Sequence, residues 1–309
     1  MIEGRVIKID RGLYWVWINS ENEVQPAKLR GRFKKELKVS HSIVNVGDRV
    51  ELINTKDDWV IEKVLPRRNQ ISRIDPGNRA HERIIVTNID QMLILSSIRD
   101  PDFNSGLVDR YLVIAEKFEI DPIIIISKVD LISEKEKIYK DILYRFGDSG
   151  AVLQPYSYKD SKYREEILSL IRGKTNAIVG SSGVGKSTLI NYLDSTINIR
   201  TANISDSTSK GKHTTTNVSM YHLNSEDAYI VDTPGIREFG LFDIEPNHLS
   251  DYFYEYRDSR EQCKFHNCSH THEPGCAIKE KVESGKLNRE RYLGYLNIIE
   301  SLKNEYSPY

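Results

Sequence analysis

Gly180-Ser181-Ser182-Gly183-Val184-Gly185-Lys186-Ser187 fits the phosphate-loop pattern GxxxxGK[ST] at every position. The apolar run Asn176-Ala177-Ile178-Val179 before it has the composition of a strand. Thr188-Leu189-Ile190-Asn191-Tyr192-Leu193 after it has that of a helix. Glycines let backbone N–H groups turn toward a phosphate without Cβ obstruction, and a helix N-terminus favours negative charge. From this frame Lys186 reaches the β- and γ-phosphates and the Ser187 hydroxyl ligates Mg²⁺, with Thr188 closing the loop. The chain is therefore expected to bind a nucleotide along Gly180 to Thr188.

A second anchor, Asp232-Thr233-Pro234-Gly235, closes the run Ala228-Tyr229-Ile230-Val231 about 45 residues further on. A carboxylate at a strand end is where a P-loop enzyme needs its second Mg²⁺-side group, and Gly235 offers a backbone N–H to the γ-phosphate. Between the two anchors lies Gly211-Lys212-His213-Thr214-Thr215-Thr216, in a stretch rich in Ser, Asp and Lys. That composition suits a switch in which one threonine, Thr215 or Thr216, completes the Mg²⁺ shell.

No Asn-Lys-x-Asp motif follows Gly235. Upstream, the run Pro122-Ile123-Ile124-Ile125-Ile126 ends in Ser127-Lys128-Val129-Asp130. Asp130 there accepts hydrogen bonds from the N1–H and 2-amino group of guanine, a pattern adenine lacks, while the Lys128 stem covers the base. Ser127 stands where the usual motif has Asn, so one amide contact is lost or replaced. The strand Ala151-Val152-Leu153 leads on to Gln154-Pro155-Tyr156-Ser157, where a base-side backbone contact is expected. The order is then base recognition, phosphate loop, switch, DTPG, a circular permutation of the common GTPase order; termini of compact domains often lie close enough for such a rearrangement.

All three cysteines fall in Cys263-x4-Cys268-x-His270-x5-Cys276. Three thiols and one imidazole form a tetrahedral Zn²⁺ set, structural when all four positions are protein-filled. An odd thiol count argues against disulfides. His266 and His272 compete with His270 for the imidazole position.

On these residues, together with Asn88-Ile89-Asp90-Gln91 and Leu107-Val108-Asp109-Arg110-Tyr111-Leu112, the chain resembles the bacterial small-subunit biogenesis GTPases, the circularly permuted YjeQ/RsgA-type proteins. The resemblance covers essentially the full length. It implies a multidomain chain: an N-terminal β-barrel of OB-fold type over 1–66, a permuted α/β P-loop GTPase domain over 67–243 and a mainly helical zinc-binding domain over 244–309. It implies a hydrolase converting GTP to GDP and phosphate, acting as a late assembly factor of the small (30S) ribosomal subunit. Its partners would be that subunit and its 16S rRNA, with the subunit stimulating turnover. One structural Zn²⁺ on Cys263, Cys268, His270 and Cys276, and Mg²⁺ with GTP, complete the expectation. The zinc spacing matches the family's ligand pattern.

At 309 residues with a net charge of −1, the chain exceeds one core and carries no overall charge signal for nucleic acid. No apolar run approaches the roughly 20 residues that span a bilayer, and Met-Ile-Glu-Gly does not start a signal peptide. A cytoplasmic monomer without membrane attachment is expected. Charge is uneven, however: Lys28 to Lys38 holds six basic residues and one acid. Strand candidates Arg5 to Ile9, Leu13 to Ile18, Arg49 to Ile53 and Trp59 to Val64 surround that segment, and a small barrel of this kind presents loops and a strand face to RNA. Tyr14, Trp15, Trp17 and Phe33 offer stacking surface or core. Leu249 to Arg257 and Arg289 to Lys303 are expected as helices flanking the zinc ligands.

Ras-type GTPases place a glutamine after the DxxG glycine. Here Ile236 stands there and can neither orient nor activate water, so intrinsic turnover should be slow. His213 is the candidate in cis; the alternative is a histidine facing solvent. Two other classes compete with the GTPase reading: an RNA-binding scaffold that only senses guanine nucleotide, and a P-loop ATPase or kinase. Asp130 and DTPG disfavour the latter.

Overall fold

The computed structural model describes residues 1–31, 43–55, 58–75, 78–133, 136–197, 199, 218–232, 241 and 244–306. The chain divides into two compact units. The first comprises Met1–Gln91, Leu170–Ile178 and Thr196–Gly240; the second comprises Met92–Ser169, Val179–Ser195 and Leu241–Tyr309.

In the first unit, β1 (Ile2–Asp10), β2 (Leu13–Ile18), β3 (Glu23–Leu29), β4 (Arg49–Asn54) and β5 (Trp59–Val64) close a barrel in the order β1-β2-β3-β5-β4. Alternation along the strands sends Val6, Val16, Ile18, Leu52 and Ile61 inward, each fully buried. Four of these strands are legible in the sequence; β3 is hidden by Pro26, which denies the ladder a donor. Pro26 sits opposite Trp15 on β2, and β5 joins β3 only from Ala27 onward. Proline is tolerated there because that part of β3 has a single neighbour. Tyr14 and Trp17 are buried rather than offered for stacking, Trp17 against His222 with ring centroids 4.2 Å apart; Trp15 is half-buried. Phe33 and most of the basic segment lie outside the described residues.

Beyond the barrel, Gln70–Asp75 and Asn78–Thr87 form a hairpin, β6 and β7. The same unit holds β11 (Thr175–Val179) parallel to β13 (Ala228–Asp232), which pairs antiparallel with β12 (Ser219–Leu223).

The second unit holds β8 (Gln91–Ser97), β9 (Asp121–Ser127) and β10 (Val152–Tyr156) in the order β10-β9-β8, with β9 and β10 parallel. Continuous apolar strands such as Ile123 to Ile126 suit a parallel arrangement covered on both faces. Helices α1 (Ser105–Lys117), α2 (Lys137–Phe146), α3 (Lys162–Ile171), α4 (Lys186–Leu193), α5 (Ala277–Glu283) and α6 (Arg289–Tyr306) follow in chain order. The helix expected over Leu249 to Arg257 is instead two 3₁₀ turns, Pro246–Tyr252 and Tyr254–Tyr256, broken at an extended Phe253. The break places the Phe253 ring 5.1 Å from both Tyr256 and Tyr295. No helix among the described residues is long and apolar enough to cross a membrane.

Four charged side chains bind this unit together. Arg291 on α6 donates to Asp109 on α1 and, through Nε at 2.7 Å, to Glu255; Arg145 on α2 reaches Asp109 at 2.6 Å. Asp109 and Arg291 are 0% and 3% exposed and Glu255 5%. Burial lowers the Arg291 pKa, but the Glu255 and Asp109 carboxylates outweigh it and push it up. The guanidinium also lies 4.7 Å from the Phe253 ring centre. A Cβ at Gly294, one turn along α6, would overlap an Asp109 oxygen, so that contact admits no side chain.

Replacing Arg291 with Met leaves two buried carboxylates with one fewer cation, a change that costs about 3–5 kcal/mol. Urea unfolding monitored in the second unit should register that loss. Removing Asp109 as well (Asp109→Leu in the Arg291→Met background) should recover part of it; a silent Arg291→Met would show the network to be dispensable.

Candidate nucleotide-binding site and metal centre

Within the second unit, Val179 passes directly into the loop Gly180 to Gly185 and then into α4. Gly180 adopts φ +146°, and any Cβ there would collide with the Leu95 carbonyl on β8, so only glycine fits. Gly185, at φ 98°, is the N-cap of α4, and Val184 is buried beneath the loop. The Lys186 ammonium donates to the carbonyls of Gly180 (2.8 Å) and Ser181 (2.9 Å). It thus bridges the mouth of the loop, where phosphate oxygens are expected. Ser187 and Thr188 sit half-buried in the first turn of α4, and Ser182 and Gly183 are exposed.

The base motif lies in the same unit. The Ser127 hydroxyl donates to the Val184 carbonyl at 2.8 Å and is itself buried. The serine therefore ties the base strand to the phosphate loop, a contact within reach of a short hydroxyl because β9 ends directly beside that loop. Lys128 takes a left-handed conformation (φ 60°) and donates to the Asp100 carbonyl. Val129–Leu131 forms a 3₁₀ turn that presents Asp130. Its carboxylate accepts the Ser157 hydroxyl at 2.7 Å and pairs with the Lys159 ammonium at 2.6 Å. Burial raises the Asp130 pKa, but the bonds from Lys159 and Ser157 outweigh it and hold the acid below its usual range. It is a fixed, ionised acceptor at neutral pH. Asp130, Lys128, Tyr158, Gly185 and Thr188 line one cavity of about 240 Å³.

The sequence points to a backbone contact after β10; the structure supplies two side chains, Ser157 and Lys159. Their signal is their place immediately after a strand that runs parallel to β9.

Asp232 closes β13 in the first unit, opposite Ser219 on β12 and Ile178 on β11, and is half-buried. His213, Thr215, Thr216 and Gly235 lie outside the described residues, as does Ile236.

The metal cluster belongs to the second unit. One donor atom from each of Cys263, Cys268, His270 and Cys276 lies within 4.8 Å of the others, so these residues can hold a metal ion. His270 Nδ1 is 3.5 Å from the Cys263 sulfur and 3.4 Å from that of Cys276. His266 is exposed, and the His272 ring faces Thr271 at 2.9 Å; neither joins the cluster. Burial lowers the His270 pKa, which keeps the imidazole in the neutral, ligating form. Burial, with the neighbouring Cys276 and Cys263 sulfurs, also pushes the Cys268 thiol up to about 12. The donor set and its confinement fit zinc, whose charge stabilises adjacent thiolates.

Glu273 shapes the loop that carries His270. Its carboxylate accepts from the backbone N–H groups of Ser269 (2.8 Å), Thr271 (3.1 Å) and His272 (3.2 Å), and from the Ser269 hydroxyl (2.6 Å). Partial burial raises its pKa, but these donors hold it down at about 2. They also permit the left-handed His270 (φ 57°), a conformation a histidine rarely adopts unaided. From α6, the hydroxyls of Tyr292 and Tyr295 donate to the carbonyls of His270 and Ser269, each at 2.7 Å.

Residues 64–242 match the RsgA GTPase family. The small ribosomal subunit biogenesis GTPase RsgA 1 of Listeria monocytogenes is 39% identical, with both chains covered in full. RsgA of Chlorobaculum tepidum is 42% identical over 84% of this chain and 86% of its own. Among solved structures, YjeQ from Thermotoga maritima superposes with a TM-score of 0.81 at 29% identity, covering 97% of this chain and 98% of its own. YloQ, described as a circularly permuted GTPase, gives 0.78 at 31% identity over 100% and 97%.

Two outcomes follow from the geometry. Ser127→Ala removes one net hydrogen bond of about 1 kcal/mol, so GDP affinity measured with a fluorescent analogue should fall about fivefold; unchanged affinity would mean the tie to Val184 is idle. Glu273→Gln should retain the four metal donors yet lower zinc retention against a chelator, while Cys268→Ser should abolish it. Since the Glu273 pKa is lowered on folding, the order it imparts is complete above the ordinary carboxylate range. That order is lost as pH falls toward about 2.

Proposed function

The chain belongs to the RsgA GTPase family and is a GTP-hydrolysing enzyme, and we propose that it serves as a late assembly factor of the small ribosomal subunit. In this reading it binds the subunit's 16S rRNA as a cytoplasmic monomer, and the subunit stimulates its turnover. The names carried by relatives at 39% and 42% identity support the subunit as partner. What carries the nucleotide assignment is the single cavity in which Asp130 and the phosphate loop both take part.

Asp130, held by Ser157 and Lys159, accepts the N1–H and 2-amino protons of guanine. Ser127 keeps that strand end against Val184, so the base and the phosphates are gripped at a fixed spacing. The backbone of Gly180 to Lys186 cradles the phosphates, and Lys186 exchanges its loop carbonyls for β- and γ-phosphate oxygens, offsetting charge that develops in the transition state. The Ser187 hydroxyl would hold Mg²⁺, which would supply neutralisation of phosphate charge when it accompanies GTP. Asp232, His213, Gly235 and either Thr215 or Thr216 keep the roles their sequence positions imply. Because Ile236 offers nothing to hold a water molecule, the isolated enzyme turns over slowly and the subunit supplies the missing order. The barrel over 1–66 contributes the rRNA contact, and the metal-stapled segment over 244–309, with one Zn²⁺ on Cys263, Cys268, His270 and Cys276, contributes a docking surface.

Multiple-turnover phosphate release, measured with small subunits, with large subunits and in buffer alone, tests the proposal. Turnover should rise sharply with small subunits only, and Lys186→Ala should abolish it. Equal rates in all three conditions would reduce the protein to a guanine-nucleotide-sensing scaffold.

A further inference from the structure

The first unit contains a polar cavity of about 320 Å³ whose lining includes none of the phosphate-loop or Ser127 to Asp130 residues. Arg5, Arg49 and Arg68 enter its wall with Thr175 and Tyr229. Arg5 on β1 and Arg49 on β4 are direct cross-strand partners. Like charges in that relation oppose strand pairing.

The carboxylates Glu3, Asp90 and Asp227 also line the cavity, but none forms an ion pair with Arg5 or Arg49 among the described residues. Asp90 pairs with Arg68 at 2.6 Å and accepts the Thr175 backbone N–H at 2.8 Å. Asp227 lies 3.3 Å from the His222 ring nitrogen, and Glu51, two residues along β4 from Arg49, faces Lys63 at 3.8 Å. Glu3, opposite Glu51, is exposed. Among the described residues, neither Arg5 nor Arg49 has a carboxylate partner. Arg5 donates to the neutral Thr175 hydroxyl and stacks 4.5 Å from the centre of the Tyr229 ring. Burial depresses its pKa; Tyr229 and Asp90 oppose that shift, while Arg49 and Arg68 add to it.

A half-buried guanidinium with no direct ion pair, beside a second one at the wall of an open polar cavity, is stabilised most by an anion that both can grip. Two guanidinium forks suit the tetrahedral array of phosphate oxygens. The Thr175 hydroxyl accepts from Arg5 and keeps its own proton to donate. We propose that this cavity binds a phosphate group between Arg5 and Arg49, seated on Thr175. The same chemistry is offered by a free phosphate or phosphomonoester and by a phosphodiester of an RNA strand.

The test uses the full chain saturated with GDP, so that the phosphate loop is occupied. Inorganic phosphate is titrated calorimetrically against chloride at constant ionic strength. Wild type should bind phosphate at one site, and Arg49→Gln should weaken that binding about tenfold or more, the loss of one charge-assisted contact. Arg49 is exposed, so its replacement leaves the barrel core intact. Lys63→Gln, outside the cavity, should bind as wild type does. A short oligouridylate that displaces phosphate from wild type would identify the source as an RNA diester. Failure to displace it would identify a free phosphate or monoester; either result upholds the site. No uptake by the GDP-loaded wild type, or equal uptake by Arg49→Gln, overturns it.

Discussion

Asp109 and Glu255 are carboxylates withdrawn almost completely from water, and one guanidinium, that of Arg291, answers both. Charges this deep are tolerated only when geometry and hydrogen bonding compensate for lost hydration. Satisfying both acids fixes where α1, α6 and the 3₁₀ turn at Tyr254–Tyr256 stand with respect to one another, and Arg145 adds α2. The placement has two dependants. α2 follows the Asp130 loop, and α6 carries Tyr292 and Tyr295, whose hydroxyls hold the metal-loop carbonyls. The Asp130 loop and the metal cluster therefore hang on the same buried charges without touching each other.

Both sites use one further device, a carboxylate immobilised by several donors. Asp130 is held by Ser157 and Lys159 at the wall of the cavity it shares with Gly185 and Thr188. Glu273 spends its lone pairs inward, on three backbone N–H groups and a hydroxyl, and thereby sets a loop. The two acids differ in what they leave free, and that difference separates recognition from architecture.

Features encoded by short-range pattern were legible in the sequence. The phosphate loop, the Ser127-Lys128-Val129-Asp130 strand end, four barrel strands and the cysteine spacing all lie within single segments, where residue type alone constrains the backbone. What stayed hidden depends on partners distant in the chain. β3 is obscured by Pro26 and makes sense only once its single neighbour there is known. The tyrosine and tryptophan side chains Tyr14 and Trp17 could serve surface or core equally, and burial decided for core. Ser157 and Lys159 announce nothing until β10 is laid beside β9. The replacement of Asn by Ser127 becomes intelligible through Val184, 57 residues away.

The distance between Asp109 and Arg291 bears on how the protein is made. They stand 182 residues apart, with Asp109 early in its unit and Arg291 near the end of the chain. Synthesis runs from the N-terminus, and domains tend to fold as they emerge. The barrel strands, all within the first 64 residues, can close early. The second unit cannot: until α6 leaves the translating ribosome, Asp109 on α1 has only Arg145 and lacks Arg291. A nascent chain of this protein thus lacks that tie until α6 has been made, and a chain released before α6 lacks it permanently.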